Sequence, residues 1–229
     1  MARKSIQVQD FVANLPLFRE LVPGEIARIA AGTVEVDAPR GTVLFHRGAP
    51  CSGFHIVIFG HVKLALQSPK GDEKVIELIG PGQSFGEAAM FLGRPHMVSA
   101  TALVDSLLLH IAREVVLAEI KRDPGFARRI IAGLSRRLHH LIGDLEAVSL
   151  RSGTQRVIGY LLRDGPAAGA ANALRLTLPA KKGVIASRLD LTHEHFSRIL
   201  HELIEARLIE VDGLQVTIPD IARLRSYGA

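Results

Sequence analysis

Four polar side chains near the C-terminus have the types and the spacing to read the edges of DNA bases. They follow one another at i, i+3, i+4 and i+7, the spacing of one helix face, and are Glu194, Ser197, Arg198 and His201. The opposite face is apolar and consists of Phe196, Ile199, Leu200, Leu203 and Ile204. An arginine can donate to guanine O6 and N7 together, a glutamate can accept from cytosine N4, and a serine can contact several bases. The pattern therefore predicts a DNA recognition helix, the alternative being a merely solvated face.

The predicted elements around this face form a winged helix-turn-helix. A helix over 155–163 and a loop over 167–173 come first. They are followed by a short helix over 181–189, a turn over 190–192, the polar-faced helix over 193–207, and strands over 208–211 and 214–218. Asp212-Gly213 between the strands is a hairpin signal. In such motifs the second helix presents its N-terminal residues to the major groove. Three further side chains are expected to contact phosphates, which fix register without reading sequence: Thr192, His193 and Lys181.

A long amphipathic helix is predicted over 124–150, with Asp123 as its N-cap. Its apolar residues step by three and four, as in the a/d seam of a two-stranded coiled coil, at Ile131, Leu134, Leu138, Leu141, Leu145 and Val148. Ile130 and Ile142 lie beside the seam and widen the apolar face. We therefore expect one side of the helix to pack on the chain's own N-terminal part, while the seam meets a second copy in a homodimer. An ordinary core helix is the alternative.

Short β-rich segments separated by Gly, Pro, Ser and Asp occupy the N-terminal half. Strands are predicted over 43–45, 54–58, 62–66, 74–78 and 107–111, after one or two short helices over 6–30 that Pro16 and Pro23 interrupt. This regular spacing is typical of an antiparallel sandwich or jelly roll. The predicted fold class is therefore α+β. A β-barrel sensing domain with N-terminal helices covers 1–122, a dimerisation helix covers 123–150, and a winged helix-turn-helix domain covers 151–229.

The order of these motifs resembles the CRP/FNR family of bacterial regulators, whose N-terminal domain is a cyclic-nucleotide-binding-type jelly roll. The resemblance covers nearly the whole chain and is carried by residues 17–18, 41–45, 60–64 and 81–91. It implies a homodimeric transcription regulator that is not an enzyme. It also implies that the protein binds double-stranded DNA, contacts RNA polymerase and responds to a small effector in the barrel.

Glu194-x-x-Ser197-Arg198 matches the recognition helix of the oxygen- and nitrate-responsive branch of that family. The match implies half-sites of the TTGAT type. In the cyclic-AMP branch the position of Ser197 is usually Gly and that of His193 usually Arg. The chain most resembles the nitrate-respiration regulators, which are thought to sense nitric oxide through haem. Haem is therefore a candidate cofactor, with His139 or His140 as a candidate iron ligand beside the barrel. An unidentified ligand, or none, is the alternative.

The candidate effector-binding residues are Phe85, Gly86, Glu87 and Met97, together with the two histidines just named. In cyclic-AMP sensors of the family, a Gly-Glu pair followed by Arg-Ser holds the ribose and the cyclic phosphate. Gly86-Glu87 is present, but residues 96–100 read His-Met-Val-Ser-Ala and offer no cation for the phosphate, while Arg94 comes too early. We therefore do not expect control by cyclic AMP, and a cyclic-nucleotide-responsive regulator is kept as the alternative.

Composition and charge exclude several other classes of protein. The single cysteine, Cys51, can form no internal disulfide and cannot supply an iron–sulfur cluster, so it is either an inert thiol, which we favour, or a redox sensor.

No run approaches the ~18–20 apolar residues of a membrane span, and the first residues do not form a signal peptide. We therefore expect a cytoplasmic protein without a membrane partner. The net charge of +5 is the sum of −1 over residues 1–120 and +6 over residues 121–229, and this C-terminal excess slightly favours nucleic acid as a partner.

Two ways in which the histidines could bind a metal have little support in the sequence. His193-Glu194-His195 lacks the His-Glu-x-x-His spacing that would place both imidazoles on one helix face. A jelly-roll metalloenzyme would need a clustered His-x-His with a downstream carboxylate, and His46, His55 and His61 have the wrong spacing. No metal ligand is assigned from the sequence.

Overall fold

The structure is a computed structural model that describes residues 21–68, 73–150, 152–163 and 172–227. Within the long helix it leaves out the side chains of residues 136, 137, 140, 141 and 143–150. The chain forms two compact units, Met1–His139 and His140–Ala229, which divide it within that helix. Of the N-terminal helices predicted over 6–30, the part before residue 21 lies outside the described residues.

The first unit contains eight described strands in two sheets. They are β1 (Thr33–Ala38), β2 (Val43–Phe45), β3 (Gly53–Phe59), β4 (Val62–Gln67), β5 (Glu73–Ile79), β6 (Ser84–Phe85), β7 (Ser99–Ala102) and β8 (Ser106–Ala112). One sheet has the order β1-β8-β3-β6 and the other the order β2-β7-β4-β5. Neighbouring strands are antiparallel. The predicted jelly roll is confirmed.

Alternation along β3 and β8 divides the apolar residues between two cores. Val57 and Leu108 point into the core between the two sheets, which also holds Phe85. Residues at the alternate positions of the two strands point the other way, into a core that the first sheet shares with helices: Phe54, Ile56, Leu109 and Ile111. The sandwich is therefore filled on the inside and covered on one outer face.

The described part of this unit contains or begins four helices: α1 (Pro23–Ala31), α2 (Glu87–Leu92), α3 (Arg113–Arg122) and α4 (Pro124–Leu150). The predicted long helix is confirmed as α4, and Asp123 caps it by accepting a 2.8 Å hydrogen bond from the Gly125 N–H. Phe126 and Ile130 are buried in the helix-covered core, and Leu134 packs against it. The start of α4 is therefore fixed to the sandwich.

Ion pairs tie α1 to α3 and to α4. The Arg28 guanidinium donates two 2.7 Å hydrogen bonds to the two carboxylate oxygens of Glu119, which is buried. Arg129 pairs with the buried carboxylate of Glu25 and, at 2.8 Å, with Asp123. Hydrogen bonding to Arg28 holds the pKa of Glu119 below its usual value. Glu25 and Glu119 thus each have a guanidinium partner, which offsets the cost of burying their charge.

The second unit is a winged helix-turn-helix, as predicted. Its described elements are α5 (Gly153–Leu162), β9 (Leu174–Thr177), α6 (Lys182–Arg188), α7 (His193–Glu205), β10 (Glu210–Asp212), β11 (Gln215–Ile218) and α8 (Ile221–Tyr227). The sheet order is β10-β11-β9, so the predicted hairpin has a third strand that was not predicted. The loop predicted over 167–173 falls mostly outside the described residues.

Candidate nucleic-acid interface and effector segment

Helix α7 is anchored by its apolar face. Four of the five residues predicted for that face are almost fully buried: Phe196, Ile199, Leu200 and Leu203. The fifth, Ile204, is 39% exposed and lies at the edge of the face. Thr192, predicted as a phosphate contact, is also the N-cap, because its side-chain oxygen accepts a 3.1 Å hydrogen bond from the His195 N–H. The buried stripe and the cap together fix which residues α7 presents outward.

The opposite face of α7 carries the predicted base-reading side chains. Glu194, Arg198 and His201 are exposed, and Ser197 is half-buried. Hydrogen bonds from its own backbone N–H and, second, from Thr192 hold the pKa of Glu194 below its usual value, so this carboxylate is an anion at neutral pH. His201 Nε2 lies 3.3 Å from Glu205 Oε1. Among the described residues Arg198 makes no ion pair, so its guanidinium is available to a ligand.

The residues predicted to contact phosphates lie near one another. Lys181 directly precedes α6 and His193 is the first residue of α7, and both are exposed. A Cβ on Gly183, in the first turn of α6, would lie 3.6 Å from Cδ2 of His193. The starts of the two helices are therefore adjacent.

Helix α5 supports the turn before α7, a role that the sequence did not reveal. Asp190 in this turn has a positive φ of 58°, and its carbonyl accepts a 3.4 Å hydrogen bond from Arg156 Nη1. A Cβ on Gly153, the first residue of α5, would lie 3.2 Å from both His195 Cε1 and Ile199 Cδ1. The first turn of α5 therefore packs closely against the recognition helix.

The end of α7 is also held by contacts that were not predicted. Arg207 has φ 55°, its N–H bonds to the Ile204 carbonyl at 2.9 Å, and the Leu208 N–H bonds to the Leu203 carbonyl at 3.0 Å. This is a Schellman motif. Arg223 of α8 donates a 3.2 Å hydrogen bond to the Ala206 carbonyl. Both ends of the recognition helix are thus capped.

The predicted dimer seam on α4 is partly exposed. Ile131 and Leu138 are 62% and 60% exposed, and Ile142, predicted as a flanking residue, is 57% exposed. Leu134, predicted for the seam, is instead partly buried against the chain's own core, while its neighbour Ile130 is fully enclosed there. The side chains of Leu141, Leu145 and Val148 lie outside those described. The described part of α4 therefore has one face on the sandwich and another without cover.

Residues 85–87, predicted to bind the effector and here named the effector segment, lie at the junction of β6 and α2. Phe85 is buried in the core between the sheets, Gly86 is the N-cap of α2 with φ 98°, and Glu87 is buried at the first position of α2. The left-handed backbone at this junction is a position that favours glycine. Met97, predicted for the same site, is 63% exposed.

The segment that follows carries no buried cation. Arg94 is exposed and Val98 is half-buried. His96 is buried and stacks on Phe45, and burial lowers its pKa below the usual 6.5, so it is neutral at neutral pH. None of these three side chains reproduces the buried arginine that a cyclic phosphate would need.

The remaining predicted residues are His139, His140 and Cys51. His139 is exposed rather than enclosed beside the barrel, and the side chain of His140 lies outside those described. Cys51 is half-buried, and its thiol donates to the Gly53 carbonyl at 3.1 Å.

Comparison with known proteins agrees with this arrangement. The Cyclic nucleotide-binding domain model matches residues 35–123, and the Crp-like helix-turn-helix domain model matches residues 155–227. The crystal structure of DNR from Pseudomonas aeruginosa is 32% identical with a TM-score of 0.56, covering 99% of this chain and 100% of that one. The chain belongs to the CRP/FNR family of transcription regulators.

Two further relatives of this CRP/FNR protein cover most of its length. The CRP-like cAMP-activated global transcriptional regulator of Mycobacterium tuberculosis is 27% identical over 219 residues, which cover 95% of this chain and 98% of the relative. The crystal structure of Thermus thermophilus Catabolite Activator Protein is 28% identical with a TM-score of 0.51, covering 93% of this chain and 98% of that one.

These relatives are transcription regulators and not enzymes, which leaves the metalloenzyme alternative without support. The chain is a CRP-like DNA-binding transcription regulator with a cyclic nucleotide-binding domain. Within the described residues, no helix has both the length and the apolar character that crossing a membrane requires.

Proposed function

We propose that this CRP/FNR regulator acts as a homodimer whose two α7 helices read TTGAT-type half-sites. The observation that carries the proposal is the outer face of α7, where an exposed Arg198 guanidinium lies on the same face as the anionic Glu194. An arginine can donate to guanine O6 and N7, and a carboxylate can accept from cytosine N4. Helix α7 could therefore contact bases on both strands of a half-site.

Dimerisation would set the distance between the two α7 helices of the dimer. The uncovered apolar residues of α4, Ile131, Leu138 and Ile142, would pair with those of a second copy. A two-fold dimer of helix-turn-helix domains reads half-sites about 10 base pairs apart from centre to centre. We expect a footprint with two-fold symmetry, and RNA polymerase is the proposed partner of the DNA-bound dimer.

The base-reading role is tested by combining protein and DNA changes. Arg198→Ala should reduce discrimination between TTGAT and a half-site with its guanine replaced by about 1–3 kcal/mol, as measured by competition binding at fixed salt. Lys181→Ala is the matched comparison, because losing a phosphate contact should weaken both sequences alike and flatten the salt dependence. If Arg198→Ala leaves the ratio of the two affinities unchanged, Arg198 does not read the guanine.

For the effector we propose a ligand other than cyclic AMP. The neutral, stacked His96 and the exposed Arg94 offer no buried positive charge beside Gly86-Glu87. Added cyclic AMP should therefore leave the DNA affinity unchanged. A large increase in affinity would instead favour the cyclic-nucleotide-responsive alternative, the mode of control that the name of the Mycobacterium tuberculosis relative describes.

Haem is the proposed candidate for that ligand, held by the imidazole of His139 or His140. Exposure of His139 leaves its ring accessible to a group arriving from outside the chain. Haem iron would supply a binding position for a small gas such as nitric oxide. The test is the absorption spectrum of the purified protein with haem: a Soret band that shifts in His139→Ala or His140→Ala supports the assignment. Failure to take up haem removes it.

A further inference from the structure

Three histidines and two phenylalanines form a compact group in the sandwich, here named the histidine cluster: His55, His96, His110, Phe45 and Phe85. The His96 ring stacks on Phe45 with centroids 3.6 Å apart, and the His55 ring stacks on Phe85 at 5.2 Å. The rings of His55 and His110 are 4.7 Å apart. Strand pairing explains this, since His55 of β3 lies opposite both Phe85 of β6 and His110 of β8.

The histidine cluster continues the core between the two sheets. Along β3, His55 shares its side with Val57, and along β8, His110 shares its side with Leu108, and both of these apolar residues belong to that core. His55 Nδ1 is buried and has no hydrogen-bond partner among the described residues. An imidazole in this position packs as an aromatic ring and is poorly placed to carry a charge.

Burial and the neighbouring imidazoles oppose proton uptake at the centre of the cluster. Burial, followed by the charges that His110 and His96 would carry, lowers the pKa of His55 from 6.5 to about 3. Burial also lowers the pKa of His96 and of His110. Glu114, which is exposed in α3, acts in the other direction and raises the pKa of His110.

The remaining polar groups near the cluster are neutral or directed elsewhere. Ser52 Oγ lies 3.3 Å from His110 Nε2. Arg113, at the start of α3, donates its N–H to the Ser52 carbonyl, and its guanidinium lies beside Gly93. Neither group provides an anion for a protonated His55.

We propose that the histidine cluster makes the effector segment acid-sensitive: opening of the β3–β6 pair exposes His55 to water, and protonation then favours the open form. The pair is short: β6 contributes Ser84 and Phe85, and the backbone bonds that continue it join Gly82 and Gln83 to Val57, at 2.8 and 3.0 Å. Gly86 packs on the backbone of Phe54, with its Cβ position 3.4 Å from Phe54 Cα. Loosening this pair would release the segment that contains Gly86 and Glu87.

The sign follows from proton linkage. In the closed form the pKa of His55 is depressed below 6.5, so the open form binds more protons at every pH below that value. The stabilisation from the neutral ring is complete above pH 6.5 and is lost as the pH falls. Over the first units below 6.5, His55 alone should raise the opening equilibrium constant by up to ~10-fold per pH unit.

Native-state hydrogen exchange on the full chain tests the proposal without DNA or effector, so its result is independent of the proposed function. Between about pH 7.5 and about pH 5.5, the range in which histidines titrate, corrected amide protection in β6 and at the start of β3 should fall relative to β4 and β5. Protection in β6 that does not change with pH would overturn the proposal.

Variants separate the histidine cluster from other titrating groups. His55→Phe retains an aromatic ring to stack on Phe85 and should remove most of the pH dependence of β6 protection. His46→Gln, which changes an exposed histidine beside Phe45 in sequence, should leave the wild-type profile intact. If His55→Phe does not fold, urea unfolding of His110→Phe against pH is measured in its place and should show a shallower slope than wild type. A variant with the wild-type slope would refute the proposal.

Discussion

Arg207 holds a strained backbone conformation at the point where the recognition helix ends. Its φ of 55° is in the left-handed region, which the Schellman hydrogen bonds from Arg207 and Leu208 require. A side chain with a Cβ is disfavoured there by roughly 1–2 kcal/mol. Buried Leu203 and Leu208 and the cap from Arg223 offset this strain and keep the helix end in place.

Replacing Arg207 by Gly should therefore stabilise the DNA-binding unit. We expect a gain of about 0.5–1 kcal/mol in the free energy of unfolding, since glycine relieves the strain but loses more chain entropy on folding. Chemical denaturation monitored in the C-terminal unit measures it. Ala206→Gly is the matched control. Ala206 has φ −72°, where glycine brings no relief, so this variant should lose stability. Equal effects at the two positions would disprove the strain.

At the scale of single residues, the sequence predicted the outer face of α7 well because helical periodicity fixes which side chains share a face. Glu194, Arg198 and His201 are exposed as expected. The residues that support the helix were missed. Arg156, Gly153 and Arg223 act through long-range contacts, and no local pattern marks them.

At the scale of elements, ion pairs link α1 to α3 and α4 beside the apolar core that these helices share with the sandwich. Glu119 is buried in α3, and the two hydrogen bonds from Arg28 make its charged form favourable in the folded protein. Because these bonds require the carboxylate, their contribution depends on pH.

Replacing Glu119 by Gln should lower the free energy of unfolding of the first unit by an amount that depends on pH. The pKa of Glu119 is lowered below its usual 4.5, chiefly by the hydrogen bond to Arg28, so its stabilisation is present above that pH and is lost as the pH falls through the folded-state value. Urea unfolding should show the largest difference from wild type near neutral pH and little difference in strong acid. Glu35→Gln, at an exposed position in β1, is the control and should show no such trend. A pH-independent difference would contradict this account.

Several elements could not be predicted from local sequence. β7 is Ser-Ala-Thr-Ala and lacks the large β-branched or aromatic residues that mark strands, and its place between β2 and β4 is set by pairing. β6 has two residues and is defined only by its pairing with β3. The helices α3 and α8 carry weaker apolar patterns than α7, so tertiary packing decides them. The long helix was predictable because its periodicity persists over many turns.

At the scale of the molecule, the sequence indicated the order of barrel, long helix and winged helix-turn-helix, since composition and periodicity change sharply between them. It also predicts a coiled-coil seam on the long helix, but it does not show which of the apolar residues of that helix pack on the sandwich. Leu134 packs on the sandwich while Ile131 and Leu138 remain uncovered. The same helix therefore packs on the sandwich of the first unit and has an uncovered apolar face, which is where we propose that a second copy binds.

Sedimentation equilibrium of the full chain, with and without a duplex carrying two inverted TTGAT half-sites, tests the central claim most directly. We expect a dimer at micromolar concentration and two protomers on each duplex, with Leu138→Glu shifted to monomer because it places a charge in the seam. The exposed Val34→Glu, on β1, should sediment as wild type. Wild-type protein that sediments as single subunits at every concentration, with the duplex present, would contradict the account.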